Sequence, residues 1–174
     1  MEKTAEEFNI VPARTAEHIA TIRSLFIAYV KWLNIDLGYQ NFHWELDSLP
    51  GNYAAPHGEL LLAYSRNGTP LGCVALRSLP GHISELQFAA DQKRYCEMKR
   101  LYVTPKARSM GLGRALVAAI VQRAKTLGYK EMKLDTLPLM KEAIQMYTRL
   151  GFVEIQPYYE APRDTIFLAL DLTP

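Results

Sequence analysis

The sequence predicts a mixed α/β fold in which an antiparallel hairpin is followed by a β-α-β-α unit. Two short apolar runs joined by Arg66-Asn67-Gly68 indicate the hairpin. Further along, apolar strands alternate with amphipathic helices, which is typical of one sheet with helices on both faces. A chain of 174 residues that is 49% hydrophobic and 22% charged suits a single globular domain. We therefore expect one domain over residues 1–174.

The first helix is expected to begin after Thr15, whose side chain suits an N-cap. Apolar residues follow it at helical spacing from Ile19 to Leu33. Gly128 and Gly151 suit the left-handed position that ends a helix. The remaining elements are expected as helix 40–46, strands 59–64, 71–79 and 94–103, helix 111–127, strand 131–135, helix 139–150, and strands 152–155 and 165–171, with loops at 49–56 and 80–93.

Composition and charge argue against several classes of function. A net charge of +2 without a basic run argues against nucleic acid as a partner. No apolar run approaches the ~20 residues that cross a bilayer, and the first residues are too acidic for a signal peptide. Cys73 and Cys96 lie in apolar strands, which indicates buried reduced thiols, and the histidines have no metal-binding spacing. We expect a cytoplasmic protein without a metal or a membrane partner.

The segment Arg108-Ser109-Met110-Gly111-Leu112-Gly113 lies between an apolar strand and an amphipathic helix. Glycines allow close approach of a ligand to the backbone, and the free N–H groups of a helix N-terminus bind anions. Arg108 and Arg114 add positive charge at the same place. This arrangement predicts a site for a phosphate-bearing cofactor.

The spacing within this segment distinguishes three phosphate-binding motifs. A P-loop requires Gly-Lys-Ser/Thr, whereas Gly113 is followed by Arg114-Ala115. A dinucleotide fingerprint requires a small residue where Leu116 stands. The pattern Arg-x-x-Gly-x-Gly/Ala fits without a misplaced residue.

The chain resembles the GNAT superfamily of N-acetyltransferases over roughly residues 60–172. The resemblance is carried, in order, by Leu101-Tyr102-Val103, residues 108–113, Ala143-Ile144-x-x-Tyr147 and Leu150-Gly151-Phe152. It implies a central, mostly antiparallel, twisted sheet and transfer of an acetyl group from acetyl-CoA to an amine. The strand at 96–103 and the Leu-Asp-Thr-Leu-Pro segment also resemble one bacterial subgroup of this family.

The resemblance further implies where the cofactor would lie. It places the pantetheine arm along the backbone of the strand end and the pyrophosphate on the following loop and helix. A β-bulge would open the slot, but the sequence does not show one. Met140 departs from the family, which often has asparagine there. The implied cofactor-binding residues are Leu101, Tyr102, Val103, Arg108, Ser109, Met110, Gly111, Leu112, Gly113, Arg114 and Ala143.

Two residues are candidates for the chemistry. The family places a tyrosine beside the CoA sulfur, and Tyr147 matches that position; a phenol would protonate the leaving thiolate, although packing alone would also explain a tyrosine there. Glu97 matches the base of related acetyltransferases. Simple alternation puts Glu97, Lys99, Leu101 and Val103 on one face, so an ion pair between Glu97 and Lys99 is the equal alternative.

The acceptor side is less defined. Tyr53 in the loop 50–56, together with Tyr158 and Tyr159, lies where the family usually shapes acceptor specificity, although loop aromatics also serve local packing. Asp135 at a strand end is a further polar candidate.

The expected function is acetyl transfer to a primary amine of a small molecule or peptide by direct attack, with acetyl-CoA as co-substrate and no metal. The rivals are a non-catalytic acyl-CoA-binding regulatory module and a nucleotide-binding domain. A homodimer is expected by analogy alone.

Overall fold

A computed structural model describes residues 8–79, 94–162 and 164–174. Its elements are β1 (Phe8–Pro12), α1 (Ala16–Leu33), α2 (Phe42–Ser48), β2 (Glu59–Ser65), β3 (Pro70–Leu79), β4 (Tyr95–Val103), α3 (Leu112–Thr126), β5 (Glu131–Thr136), α4 (Lys141–Arg149), β6 (Val153–Ile155) and β7 (Ile166–Asp171), with short 3₁₀ turns at Gly38–Gln40, Gly51–Tyr53 and Pro105–Ala107. The loop predicted at 80–93 lies outside the described residues.

The described strands form one mixed sheet in the order β1-β2-β3-β4-β5-β7-β6. Only β4 and β5 pair in parallel; the other neighbours are antiparallel. The predicted mixed α/β class is therefore confirmed. Strand β1 was missed, because its five residues end at Pro12 and it exists only by pairing with β2 at the sheet edge.

Helices cover both faces of the sheet, as predicted. Thr15 caps α1 by accepting a hydrogen bond from the His18 amide at 3.1 Å. Helix α1 buries residues such as Phe26 against one face, and α3 buries residues such as Ile120 against the other. The predicted helix 40–46 instead begins at Phe42, because Asn41 adopts a left-handed conformation with φ 56° and separates it from the preceding 3₁₀ turn.

A β-bulge interrupts β4 near its centre. Ala75 of β3 pairs with Lys99, but Cys73 pairs with Tyr102, so β4 contains one extra residue, and Arg100 has φ 57°. The predicted alternation through the end of this strand is therefore wrong. Beyond the bulge, Leu101 packs with the core under α3, while Tyr102 packs with the core under α1.

The bulge lies where β4 and β5 separate. Their parallel pairing ends at Glu97 and Lys133. From that point the two strands diverge, and one edge of β4 has no neighbouring strand among the described residues. This divergence creates a cleft between the two strands.

Candidate active site

The cleft between β4 and β5 has a volume of about 600 Å³ and opens to solvent. Its walls come from both strands, from α1 and from the start of α4. Lys99, Asp135 and Tyr147 line it together with Gln40 of the first 3₁₀ turn and Met140. The fold thus gathers polar groups from five separate segments around one opening.

The N-terminus of α3, which follows the end of β4, leaves backbone amide donors free. Gly111 is its N-cap residue with φ 77°, and Ser109 also has a positive φ of 72°. The first hydrogen bond inside the helix joins the Ala115 amide to the Gly111 carbonyl at 3.1 Å. The amides of the preceding turn, residues 112–114, have no intrahelical acceptor, and Gly111 supplies no side-chain cap. These free donors suit a phosphate group.

Gly113 leaves the backbone of this turn uncovered. A Cβ atom built there would lie 3.8 Å from Met146 Sδ and from Val103 Cγ2, which is ordinary van der Waals contact. The chain's own packing therefore does not require glycine at this position. The missing side chain leaves room for a ligand to approach the backbone closely.

Arg108 is held between the end of β4 and α1. Its Nε donates to the Val103 carbonyl at 3.3 Å, and its guanidinium carbon lies 4.6 Å from the ring centroid of Trp32. Trp32 is 43% exposed and also lies near Tyr102, with 6.3 Å between ring centroids. Sequence reasoning missed Trp32, since its only signal was its position one turn after Tyr29 on α1. The aromatic ring fixes the arginine where an anion would arrive.

The unpaired edge of β4 runs along the cleft from the bulge to Val103. Leu101 lines the cleft, and this edge lacks a strand partner in the described residues. An extended arm with amide groups fits such an edge, because it would supply the missing hydrogen bonds. Ala143 lies half-buried in the first turn of α4, and Met140 at its N-cap provides no side-chain hydrogen bond.

Tyr147 lies on α4 with 6% of its surface exposed and lines the cleft. Its ring packs against Phe152, with centroids 5.5 Å apart. Burial raises the pKa of the Tyr147 phenol well above its usual range, and the charge of Asp135 adds to this. The phenol therefore keeps its proton at neutral pH and is available as a donor.

Glu97 is fully buried and ion-paired, and Arg77 is a nearer partner than the expected Lys99. The Arg77 Nε donates to Glu97 Oε2 at 2.6 Å, and the Tyr158 hydroxyl donates to Oε1 at 2.7 Å. Lys99 Nζ lies 4.0 Å away. Burial lowers the pKa of Arg77, but the charge and hydrogen bond of Glu97, together with the nearby Tyr53 and Glu45, raise it above its usual value. Arg77 was missed because only strand register reveals it, opposite Glu97 on β3.

Gln40 connects the charged groups of the cleft. Its Oε1 accepts from Arg100 Nη1 at 2.9 Å and from Lys99 Nζ at 3.3 Å. Its Nε2 donates to Asp135 Oδ2 at 3.2 Å and to the Tyr159 hydroxyl at 3.4 Å. This network was missed, because Gln40 lies 59 positions from Lys99 and no local pattern joins them.

The aromatic residues expected on the acceptor side have different surroundings. Tyr53 is only 3% exposed and its hydroxyl donates to Glu45, so the expectation of an exposed ring there is wrong. Tyr158 and Tyr159 are half-buried and each packs edge-on against Phe167 at 5.1 Å. A second cavity of about 530 Å³ is lined by Trp44, Tyr53 and Arg77, among others.

The described residues were compared with the requirements of a metal site and of a membrane-spanning helix, and they meet neither. Within it, no three histidine, cysteine or acidic side chains are grouped as a metal would require. Among the same residues, no helix combines the length and apolar character of a membrane span.

Comparison with known proteins identifies the family. A sequence model of the acetyltransferase (GNAT) family matches residues 21–152. An uncharacterised N-acetyltransferase of Schizosaccharomyces pombe is 34% identical over 166 residues, which cover 95% of each chain. The resemblance is therefore not confined to bacterial proteins.

Solved structures agree with this assignment. A Klebsiella pneumoniae protein described as an acyl-CoA N-acyltransferase is 25% identical, with a TM-score of 0.68 over 97% of this chain and 100% of that one. YncA of Salmonella typhimurium, described as an acetyltransferase with its cofactor acetyl-CoA, shares the fold at 20% identity and a TM-score of 0.65, covering 96% and 95% of the two chains. The sequence match spans most of the chain and the fold is the same, so the chain belongs to the GNAT family of acetyltransferases.

Proposed function

We propose that this acetyltransferase moves an acetyl group from acetyl-CoA to a primary amine of a small molecule by direct attack. One observation carries the proposal: the buried phenol of Tyr147 lines the cleft, and the residue before it, Met146, lies close to Gly113 in the uncapped first turn of α3. The closeness of a proton donor to free backbone amides supports transfer from a phosphate-bearing donor. A peptide amine is the second candidate acceptor.

The chain has groups that suit each part of acetyl-CoA. The free amides of residues 112–114, with Arg108 beside them, would bind the pyrophosphate. The unpaired edge of β4 around Leu101 would hold the pantetheine arm by its backbone. Acetyl-CoA would supply the thioester, and YncA, which has the same fold, binds it as its cofactor.

The reaction requires a proton donor and a proton acceptor. A nitrogen–carbon bond forms as the neutral amine attacks the acetyl carbonyl, and the carbon–sulfur bond then breaks. Tyr147 would give its proton to the departing thiolate. The amine must also lose a proton, and two carboxylates close to β4 and β5 are candidates to accept it. Glu97, the predicted base, is buried in its ion pair with Arg77, whereas Asp135 lines the cleft and would be the more accessible acceptor.

The test is an assay of free thiol release from acetyl-CoA across amino acids, polyamines, aminoglycosides and short peptides. Release that depends on an acceptor and on enzyme concentration supports the proposal. Tight binding of acetyl-CoA without release from any acceptor would favour the alternative, a non-catalytic acyl-CoA-binding regulatory module. Binding of ATP or NAD in competition with CoA would favour a nucleotide-binding domain.

Three further expectations stay proposals. We take residues 1–174 as one acetyltransferase domain, a cytoplasmic location as the setting of the reaction, and a homodimer as the form in solution. The two free, buried cysteines, Cys73 and Cys96, agree with a reducing compartment.

A further inference from the structure

Three acidic and three basic side chains meet on the α1 side of the cleft, and they pair unequally. Arg77 and Glu97 lie 2.6 Å apart, and Arg100 Nη2 lies 2.8 Å from Glu45 Oε2. Lys99 has only longer contacts: its Nζ lies 3.7 Å from Asp135 Oδ1, which completes the third pair, and 4.0 Å from Glu97 Oε1. Two pairs are thus in direct hydrogen-bonding contact, while the oppositely charged atoms of the third pair are too far apart for a hydrogen bond.

The third pair is also the one that faces the cavity. Lys99 and Asp135 both line the cleft that contains Tyr147, and the Lys99 side chain is only 6% exposed. An ammonium group has three donors, yet within the described residues Lys99 Nζ makes one hydrogen bond, to Gln40 Oε1 at 3.3 Å. A buried cation with unused donors is costly, so the site favours a ligand that supplies acceptors.

Asp135 offers the complementary charge. Its Oδ2 accepts from Gln40 Nε2 at 3.2 Å, and Oδ1 is the atom that lies 3.7 Å from Lys99 Nζ. A carboxylate has about four acceptor positions. Lys99 and Asp135 are therefore two separated, opposite charges in the wall of the cleft. Both can form further hydrogen bonds, Lys99 as a donor and Asp135 as an acceptor.

The whole group is electrically balanced. The charges of Arg77, Lys99 and Arg100 are matched by those of Glu97, Asp135 and Glu45. A polyamine would add positive charge next to Lys99 without an anion to offset it. A ligand that carries one positive and one negative group leaves the balance unchanged.

We propose that the acceptor carries a carboxylate next to its amine, as a free amino acid does, with Lys99 binding the carboxylate and Asp135 binding the amine. The inference rests on the proposed acetyl transfer and names its substrate class. The adjacent amine and carboxylate of such an acceptor match the adjacent charges of Asp135 and Lys99 in the wall of the cleft. The amine held by Asp135 then lies in the cleft that contains the proton donor Tyr147.

The experiment compares each amino acid with its amide and with its decarboxylated amine in the thiol-release assay. We expect kcat/KM for the best amino acid to exceed that of its amide by ~10- to 100-fold, which is the worth of a hydrogen bond to a charged group. Equal or faster turnover of amides or amines would overturn the inference and leave acetyl transfer intact. No release from any acceptor would overturn both.

Variants separate Lys99 from a structural role. In Lys99→Met, we expect kcat/KM for the amino acid to fall by ~10- to 100-fold and kcat/KM for its amide to fall much less, so that the preference for the amino acid disappears. Lys99→Arg retains a cation and should keep most of the preference. Lys130→Met, at an exposed position, is the matched control and should change neither rate. Loss of both rates in Lys99→Met with a normal melting temperature, or a preference that survives it, would contradict the assignment.

Discussion

Arg77 and Glu97 lie opposite each other on β3 and β4, and their side chains meet at 2.6 Å. Glu97 is completely buried, whereas 32% of the Arg77 side chain reaches solvent. The pair joins two central strands next to the point where β4 and β5 diverge. This position favours a structural role for Glu97 at the divergence of β4 and β5. Asp135, in contrast, lines the cleft.

Replacing Glu97 with Gln should therefore reduce stability more than it changes the chemistry. Breaking a buried ion pair costs about 3–5 kcal/mol, and we expect the lower end because Arg77 is partly solvated. The double variant Arg77→Met/Glu97→Gln should recover part of the loss, as measured by urea unfolding.

The pH dependence of kcat/KM supplies the second readout for Glu97→Gln. We expect its acidic limb to persist. Disappearance of that limb at unchanged stability would identify Glu97 as the base. Glu131→Gln, in a half-buried contact with Lys133, is the control.

Replacing Tyr147 with Phe should lower kcat by ~10²-fold or more, because the departing thiolate loses its proton donor. The KM for acetyl-CoA should stay nearly constant. Tyr129→Phe is the control, since Tyr129 is equally buried but donates to the His57 carbonyl at 2.5 Å, outside the residues that line the cleft. Unchanged turnover in Tyr147→Phe would remove this residue from the mechanism.

Replacing Gly113 with Ala should weaken acetyl-CoA binding while stability is kept or slightly raised. The methyl group meets no close protein atom, and alanine is favoured over glycine within a helix by roughly 0.5–1 kcal/mol. Gly128→Ala, at the other end of α3, should show the opposite pattern because Gly128 has φ 82°. Thermal unfolding and acetyl-CoA titration test both variants, and undiminished affinity in Gly113→Ala would contradict the assigned cofactor position.

Glu59 should make part of the stability depend on pH. Burial would raise the pKa of its carboxyl, but hydrogen bonds from Arg14 and the Leu60 amide, with the charges of Arg14 and Arg123, hold it below its usual value. Because the folded-state pKa is lowered, the stabilisation is present above the unfolded pKa of about 4.3 and is lost as the pH falls through the folded value.

The corresponding measurement compares wild type with Glu59→Gln by urea unfolding at several pH values. We expect their difference in unfolding free energy to be largest near pH 7 and to shrink below pH ~4. Glu154→Gln, at an exposed position on β6, should show no such trend. A difference that stays constant down to acid pH would contradict the lowered pKa.

The sequence predicted those parts of the molecule that depend on local pattern. Helix and strand periodicities set most elements within a few residues, and the phosphate-binding segment lies within six consecutive positions. Strand β1 was missed because its partner is more than 45 residues away. The Gln40 network was missed because it forms only when the turn Gly38–Gln40 meets β4 and β5. The bulge at Arg100 was hidden because its sequence continues to look like a regular strand.

The bulge near Arg100, with its one extra residue in β4, implies that the cleft forms when the sheet folds. The opening depends on the covalent length of a central strand, and among the described residues it is present without displacement of a loop. A ligand would therefore meet a site whose ordering was already completed during folding. Such a protein should bind its cofactor with little structural rearrangement, and its capacity to bind should disappear only when the sheet itself unfolds.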